Sequence, residues 1–358
     1  MKFIKLHINF LFAALIILMQ PIAGAAGNEN ITSVKKTTLA GSAQSSVTST
    51  SAWLEKMQKQ AKISNFKGTV IMQKQNANSI KTRTFNITHF FEGSSEYEKI
   101  TPLDGNMRFI VRINQVVQAY IEPKKIIIST KRDDAGFPFL TNNINQVSKL
   151  YSISSLSKER ILGYNTDVFL LSPKNPKDKR YNYKIWTYND LILKIQTSWQ
   201  GKLLEQVFFA DLQNIELNLN EIQDWMSYGK NWQYKLPRMQ EVNLQKYGWN
   251  FIKEYKGYEH IKSMRKNTVN EKNPASDVYM HQVIYSDGLA SISIFIESNP
   301  TLDLESALNK YKNINRGNNH IYTKNINGYS ITAVGEAPAS ILEELINTIN
   351  VPPANVLK

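Results

Sequence analysis

From Gly68 to Leu212 the chain alternates apolar and polar residues with a period of two, broken at intervals by short turn signals. Successive side chains on a strand point to opposite faces. "GTVIMQKQ" and "IKTRTFNITHFFE", flanking the polar "NANS", therefore predict a hairpin. "RFIVRINQVVQAYIE" and "KKIIIST" continue the rhythm, and "RYNYKIWTY", "LILKIQTSW" and "LLEQVFFADL" are joined through Asn189-Asp190 and Gln200-Gly201, both short turns. Such a series is an antiparallel meander. One helix precedes it, with Trp53, Leu54, Met57 and Ala61 at helical spacing. A sheet this long with so little helix is expected to curve into a half-open barrel, whose inner face is filled by side chains, a helix or a ligand.

The alternation fades after Asp211. "LNLNEIQDWMSYGKNWQYKLPRMQ" is polar and irregular and suits a connector. Beyond Trp249, "DVYMHQVIYSDGLASISIFIE" reads as strand, turn, strand, and "TLDLESALNKYKN" as a helix. "HIYTKNINGYSITAV" carries an Asn327-Gly328 hairpin turn, and Pro338 opens a helix holding Ile341, Leu342, Leu345, Ile346 and Ile349. The expected fold class is α+β in two domains. The segments are a signal peptide over 1–25, a flexible Ser/Thr-rich tether over 26–51, a half-open antiparallel barrel over 52–213, an interdomain linker over 214–246 and a smaller α+β domain over 247–350.

Lys2 and Lys5, the apolar run Ile8 to Met19 and the small residues Ala23 to Ala25 have the form of an export signal. The run is shorter than the ~20 residues of a membrane span. There is no cysteine, which removes disulfides, thiolate metal sites and a lipid-anchored cysteine and favours the periplasm. The formal net charge of +13 becomes +11 once the two signal lysines are removed. Nucleic acid is not expected as a partner, because the basic residues are scattered and the chain is exported. Anionic lipids, lipopolysaccharide phosphates and acidic protein segments are the partners such a surface would steer.

"YSDGLASISIFIE", Tyr285 to Glu297, poses the sharpest chemical question, since a serine and an aspartate meet at a glycine. A nucleophile elbow sets its serine between two glycines at a strand-to-helix turn. Here one glycine is present and a strand follows, with Ala290, Ile292, Ile294 and Ile296 on one face. Asp287 and Gly288 are therefore expected to fix a structural turn. His89, His260, His281 and His320 form no metal-binding spacing, and Glu96, Glu98, Asp104 and Asp133-Asp134 form no motif. No catalytic residue, metal site or cofactor is expected. The aromatic residues Phe85, Phe90, Phe91, Tyr181, Tyr183, Trp186, Trp199, Phe208 and Phe209 either fill the core or line an apolar cleft.

The same segments carry a resemblance. "EYEKITPLDG" (Glu96 to Gly105), "YIEP" (Tyr120 to Pro123), "RYNYKIW" (Arg180 to Trp186), "YSDGLASISIFIE" and "VGEAP" (Val334 to Pro338) occur in the order found in the RseB/MucB family of periplasmic regulators of sigma-E, which this chain resembles over nearly all of its expected mature length. It departs from that pattern at Lys99, where the family usually has Arg, and at Gly257-Tyr258, which lacks a preceding Pro. The resemblance implies a larger domain similar to periplasmic lipoprotein carriers and a smaller α+β domain. It also implies binding to the periplasmic part of an inner-membrane anti-sigma factor, shielding of that factor from proteolysis, and release by lipid or lipopolysaccharide. Phe85 and Ile87, which share a strand face, are the candidate lipid contacts. A homo-oligomer is compatible with this reading. The competing readings are a soluble lipid or lipoprotein carrier, which would have no need of the second domain, and an envelope hydrolase, which would need Ser286 or a histidine.

Overall fold

The computed structural model describes residues 49–76, 79–105, 107–131, 143–235, 239–268, 278–298 and 314–352. Helix α1 (Thr50–Ile63) comes first, capped by the Ser49 hydroxyl, which accepts from the Ala52 amide. Trp53, Leu54 and Met57 form its buried stripe. The strands that follow are β1 (Phe66–Gln75), β2 (Ile80–Glu92), β3 (Ser95–Pro102), β4 (Arg108–Ile113), β5 (Val116–Ile121) and β6 (Ile126–Lys131). After helix α2 (Ile144–Leu150) come β7 (Tyr151–Ile161), β8 (Tyr164–Pro173), β9 (Asn182–Tyr188), β10 (Leu191–Trp199) and β11 (Lys202–Asn214). The meander runs outward from β1 to β6, then returns from β7 to β11, which pairs with β1. The two edges do not pair with each other, so the sheet is open and not a closed barrel. Asn189-Asp190 (φ 47° and 63°) and Gln200-Gly201 (φ 49° and 76°) both have the positive φ of tight hairpin turns.

Both faces of this sheet are covered. On one, α1 packs over Leu171, Ile185 and Ile192, with Val147 of α2 and Tyr151 beside them. Val207 lies opposite Ile195, and Ile195 opposite Ile185, so the neighbouring cluster of Phe66, Val70, Met72, Phe85, Val207 and Phe209 shares this α1 face. The other face is covered by a helix from the segment expected to be an irregular linker. In α3 (Leu219–Ser227), Ile222 and Trp225 pack on Phe90, Phe109, Val111, Tyr120 and Ile127. Strand β12 (Gln233–Lys235) then adds to the sheet edge, parallel to β6. Leu219, Ile222, Trp225 and Met226 do recur at helical spacing within the expected linker.

The second sheet begins at β13 (Met239–Glu241), ahead of the expected boundary at 247. It continues with β14 (Glu254–Tyr255), β15 (Tyr258–Thr268), β16 (Val278–Ser286), β17 (Ser291–Ser298), β18 (Ile314–Arg316), β19 (Asn319–Ile326) and β20 (Tyr329–Gly335). The order is β13-β15-β16-β17-β20-β19-β18, with β14 on β15. Helix α4 (Ala339–Asn347) lays Ile341, Leu342, Leu345 and Ile346 on Val283, Ile292, Ile294, Ile296, Ile331 and Ala333. That is a smaller α+β unit. The helix expected at "TLDLESALNKYKN" and the Asp133-Asp134 pair lie outside the described residues.

Candidate functional site

The α1 face of the first sheet is apolar in its middle and charged at both ends of β1. Phe85 and Ile87 are each 2% exposed, inside the cluster with Phe66, Val70, Met72 and Phe209. Ile161, Leu162 and Tyr164, from the tip of the β7–β8 hairpin, pack against that cluster. At the start of β1, Phe66 lies opposite His89, whose Nδ1 is 2.6 Å from the Ser64 carbonyl and whose Nε2 is 3.1 Å from Glu96. Buried Arg112 donates to Glu96 and lies 3.6 Å from Glu98. Burial raises the Glu96 pKa, but the bonds from His89 and Arg112 outweigh it and hold the carboxyl down at about 2. At the other end of β1, Lys74 pairs with Glu205 at 2.7 Å, and both are buried.

The turn at Ser286-Asp287-Gly288 joins the two units. Gly288 has a φ of 95°, a conformation that suits glycine. Oδ1 of Asp287 accepts from the Leu289 and Ala290 amides at 3.0 and 2.8 Å, which fixes the turn. Oδ2 faces the first unit, accepting from the Tyr151 hydroxyl at 2.8 Å and from Arg180 Nε at 2.9 Å. Arg180 also donates to Asp178 and to the Lys256 carbonyl, and its guanidinium lies 5.1 Å over the Tyr258 ring. Gln146 of α2 donates to the Gly257 carbonyl at 2.9 Å. Leu289 packs into the first unit's cluster of Trp53, Leu54, Met57 and Tyr151. Asp287 is fully buried, and its carboxylate accepts from two backbone amides, a tyrosine hydroxyl and an arginine. Burial pushes the Tyr151 phenol well up, and the Asp287 charge adds to it, so the tyrosine stays a donor.

A second contact lies beside the Lys74 end of β1. The Gly317 amide donates to the Gln75 carbonyl at 2.8 Å. The Tyr181 hydroxyl donates to the Asn318 carbonyl at 3.0 Å and lies 3.2 Å from His320 Nδ1. Lys74 Nζ reaches Asn318 Oδ1 at 3.5 Å, and Asn318 in turn hydrogen-bonds the Glu336 carboxyl. Burial pushes Glu336 up to about 8, and Glu205 adds to the shift while Lys74 opposes it. At the rim Lys179 meets Glu344 at 3.1 Å.

Ser286 is buried rather than on the surface. Its hydroxyl donates to the Ala290 carbonyl at 2.9 Å and accepts from the Gly288 amide at 3.0 Å, so it is used within the turn. Among the described residues, no group of His, Asp and Glu side chains is placed to hold a metal ion. Glu96 and Glu98, which belong to no catalytic motif, hold Arg112, and Asp104 pairs with Arg83 at 2.6 Å. The sequence assigns no role to Arg180 or Glu336 and reads Tyr181 only as core or cleft, although "RYNYKIW" and "VGEAP" carry the resemblance. The signal was there: three of the five resemblance motifs meet at this joint.

The MucB/RseB N-terminal domain family matches residues 49–226 and the MucB/RseB C-terminal domain family residues 243–350. The chain is 24% identical over 276 residues to a Haemophilus influenzae protein described as sigma-E factor regulatory protein RseB, covering 74% of this chain and 81% of that one. Its fold is similar to that of MucB in a crystal structure with MucA(peri), with a TM-score of 0.58 and 20% identity over 85% of this chain and 99% of the other. For the Pseudomonas aeruginosa MucA/MucB complex the TM-score is 0.59, again at 20% identity, 85% coverage of this chain and 99% of that one. With both of its units matched in order, the chain belongs to the MucB/RseB family.

Proposed function

We propose that this protein is a periplasmic, non-enzymatic regulator of the envelope-stress sigma factor sigma-E, which binds the periplasmic segment of a membrane-spanning anti-sigma factor and shields it from proteolysis. The observation that carries the reading is the family match across both units. The description of the Haemophilus relative as a sigma-E regulator, and the presence of MucA(peri) with MucB, support the same role. The signal-like start of the chain supports export. The test is a titration of the mature chain with the periplasmic segment of the organism's own anti-sigma factor. Binding at about micromolar Kd or tighter is expected. No binding with both partners folded would end the proposal.

Release is by an amphipathic anionic lipid or lipopolysaccharide whose acyl chains lie on the α1 face at Phe85 and Ile87. Because these residues are packed, the chains displace the β7–β8 hairpin tip, replacing Ile161, Leu162 and Tyr164 on the cluster. Each acyl methylene so buried contributes about 0.8 kcal/mol, and a few suffice for measurable affinity. Phe85→Asp is expected to abolish binding of a fluorescent acyl probe while the second unit remains folded. Unchanged probe binding would remove Phe85 from the site.

A further inference from the structure

We propose that the Gly317-Asn318 turn of the second unit is a lid on the Lys74 end of the α1 face, and that a proton shared into the buried Lys74–Glu205–Glu336 cluster is its catch. The turn is closely seated. Gly317 (φ 63°) donates its amide to Gln75, and a Cβ there would stand 3.1 Å from both the Leu204 carbonyl and Lys74 Cβ. Beside the turn Lys74 and Glu205 form a buried pair; Glu336 is also buried and feels both of their charges, and among the described residues its Oε1 has no hydrogen-bond partner.

The charge count decides the behaviour. Lys74 is 2.7 Å from Glu205, so its charge is already matched. A second buried carboxylate would be uncompensated, and a protonated Glu336 removes that conflict. Among the described residues, the other groups facing Glu336 do not relieve it. Asp287 acts on it as a further like charge, Asn318 supplies a neutral hydrogen bond, and Tyr181 and Tyr183 are phenols that burial pushes up. His320, bonded to Tyr181, is pushed down by burial, which disfavours its charged form; Arg180 is engaged by Asp287, Asp178 and the Lys256 carbonyl.

The sign follows from linkage. The closed form holds the Glu336 proton more tightly than an open form in which that carboxyl meets water. Closure is therefore strongest at acid pH and weakens as pH rises from the ordinary carboxylate range to about 8, the point to which burial, aided by Glu205, pushes this carboxyl.

The bond from Gly317 to Gln75 crosses between the units, so exchange of that one amide reports the lid. With glycine nitrogen labelling, the protection factor of Gly317 is followed from about pH 5 to about pH 9, corrected for intrinsic exchange. In the wild-type chain it is expected to fall by up to about tenfold per pH unit and then level off, one proton's worth of linkage. The Gly335 amide, on a strand inside the second sheet, serves as the internal reference. Glu336→Gln, permanently neutral, is expected to keep Gly317 protected throughout. If that variant does not fold, Glu205→Gln frees Lys74 to pair with Glu336 and is expected to flatten the profile. A flat wild-type profile, or one that Glu336→Gln or Glu205→Gln leaves unchanged, would overturn the proposal.

Discussion

The second unit buries two carboxyl groups in its joint with the first, and the fold treats them in opposite ways. Asp287 meets two backbone amides, a tyrosine hydroxyl and an arginine. Among the described residues, Glu336 meets one asparagine, keeps an oxygen without a partner and shares its surroundings with a competing carboxylate. A buried carboxyl that finds donors from both sides stays charged and holds two bodies together, whereas one left short of donors makes their contact depend on conditions. Both residues lie in segments that carry the family resemblance, and burial alone does not distinguish them.

The comparison breaks most visibly at its well-bonded member. Asp287→Ala leaves Arg180, Tyr151 and two turn amides without their acceptor, and is expected to cost about 3–5 kcal/mol in denaturant unfolding. Gly288→Val forces a β-branched residue to a φ of 95° and is expected to cost about 1–3 kcal/mol by the same measurement, with anti-sigma binding weakened alongside. Ser286→Ala removes two bonds inside the turn and none across the joint. About 1 kcal/mol is expected, with anti-sigma binding unchanged. If the serine variant instead abolished binding while the glycine variant was silent, the turn would be something other than a support.

The smallest effect belongs to the rim. Glu344 is held down at about 2 by bonds from Lys256, Tyr255 and Lys179, against a weaker opposing effect of burial. Its contribution is complete above the ordinary carboxylate range and is lost as pH falls through about 2. Because the pairs are solvated, Glu344→Gln is expected to change stability at neutral pH by less than about 1 kcal/mol, and by nothing measurable in strong acid. Thermal scans at the two conditions check both statements.

What the sequence made legible follows from how local each feature is. Period-two alternation and the Asn-Asp, Gln-Gly and Asn-Gly turns are properties of neighbouring residues, so the long meander and the smaller α+β unit could be read directly. The covering role of helix α3 could not, because it depends on where β2 to β6 place Phe90, Phe109 and Tyr120. The turn at Asp287 was legible through one of its carboxylate oxygens. The other oxygen binds Arg180, 107 positions earlier, and no local pattern announces a bond of that span. The same holds for Glu336 and Lys74, which come together only when the second sheet seats its turn on the end of the first.

Differential scanning calorimetry of the mature chain and of Asp287→Ala tests most directly whether this joint makes one body of two units. The wild-type chain is predicted to melt in a single cooperative transition, and the variant to separate into two, with the smaller unit's transition displaced to lower temperature. Two independent transitions in the wild type, or a variant that melts as the wild type does, would contradict the account.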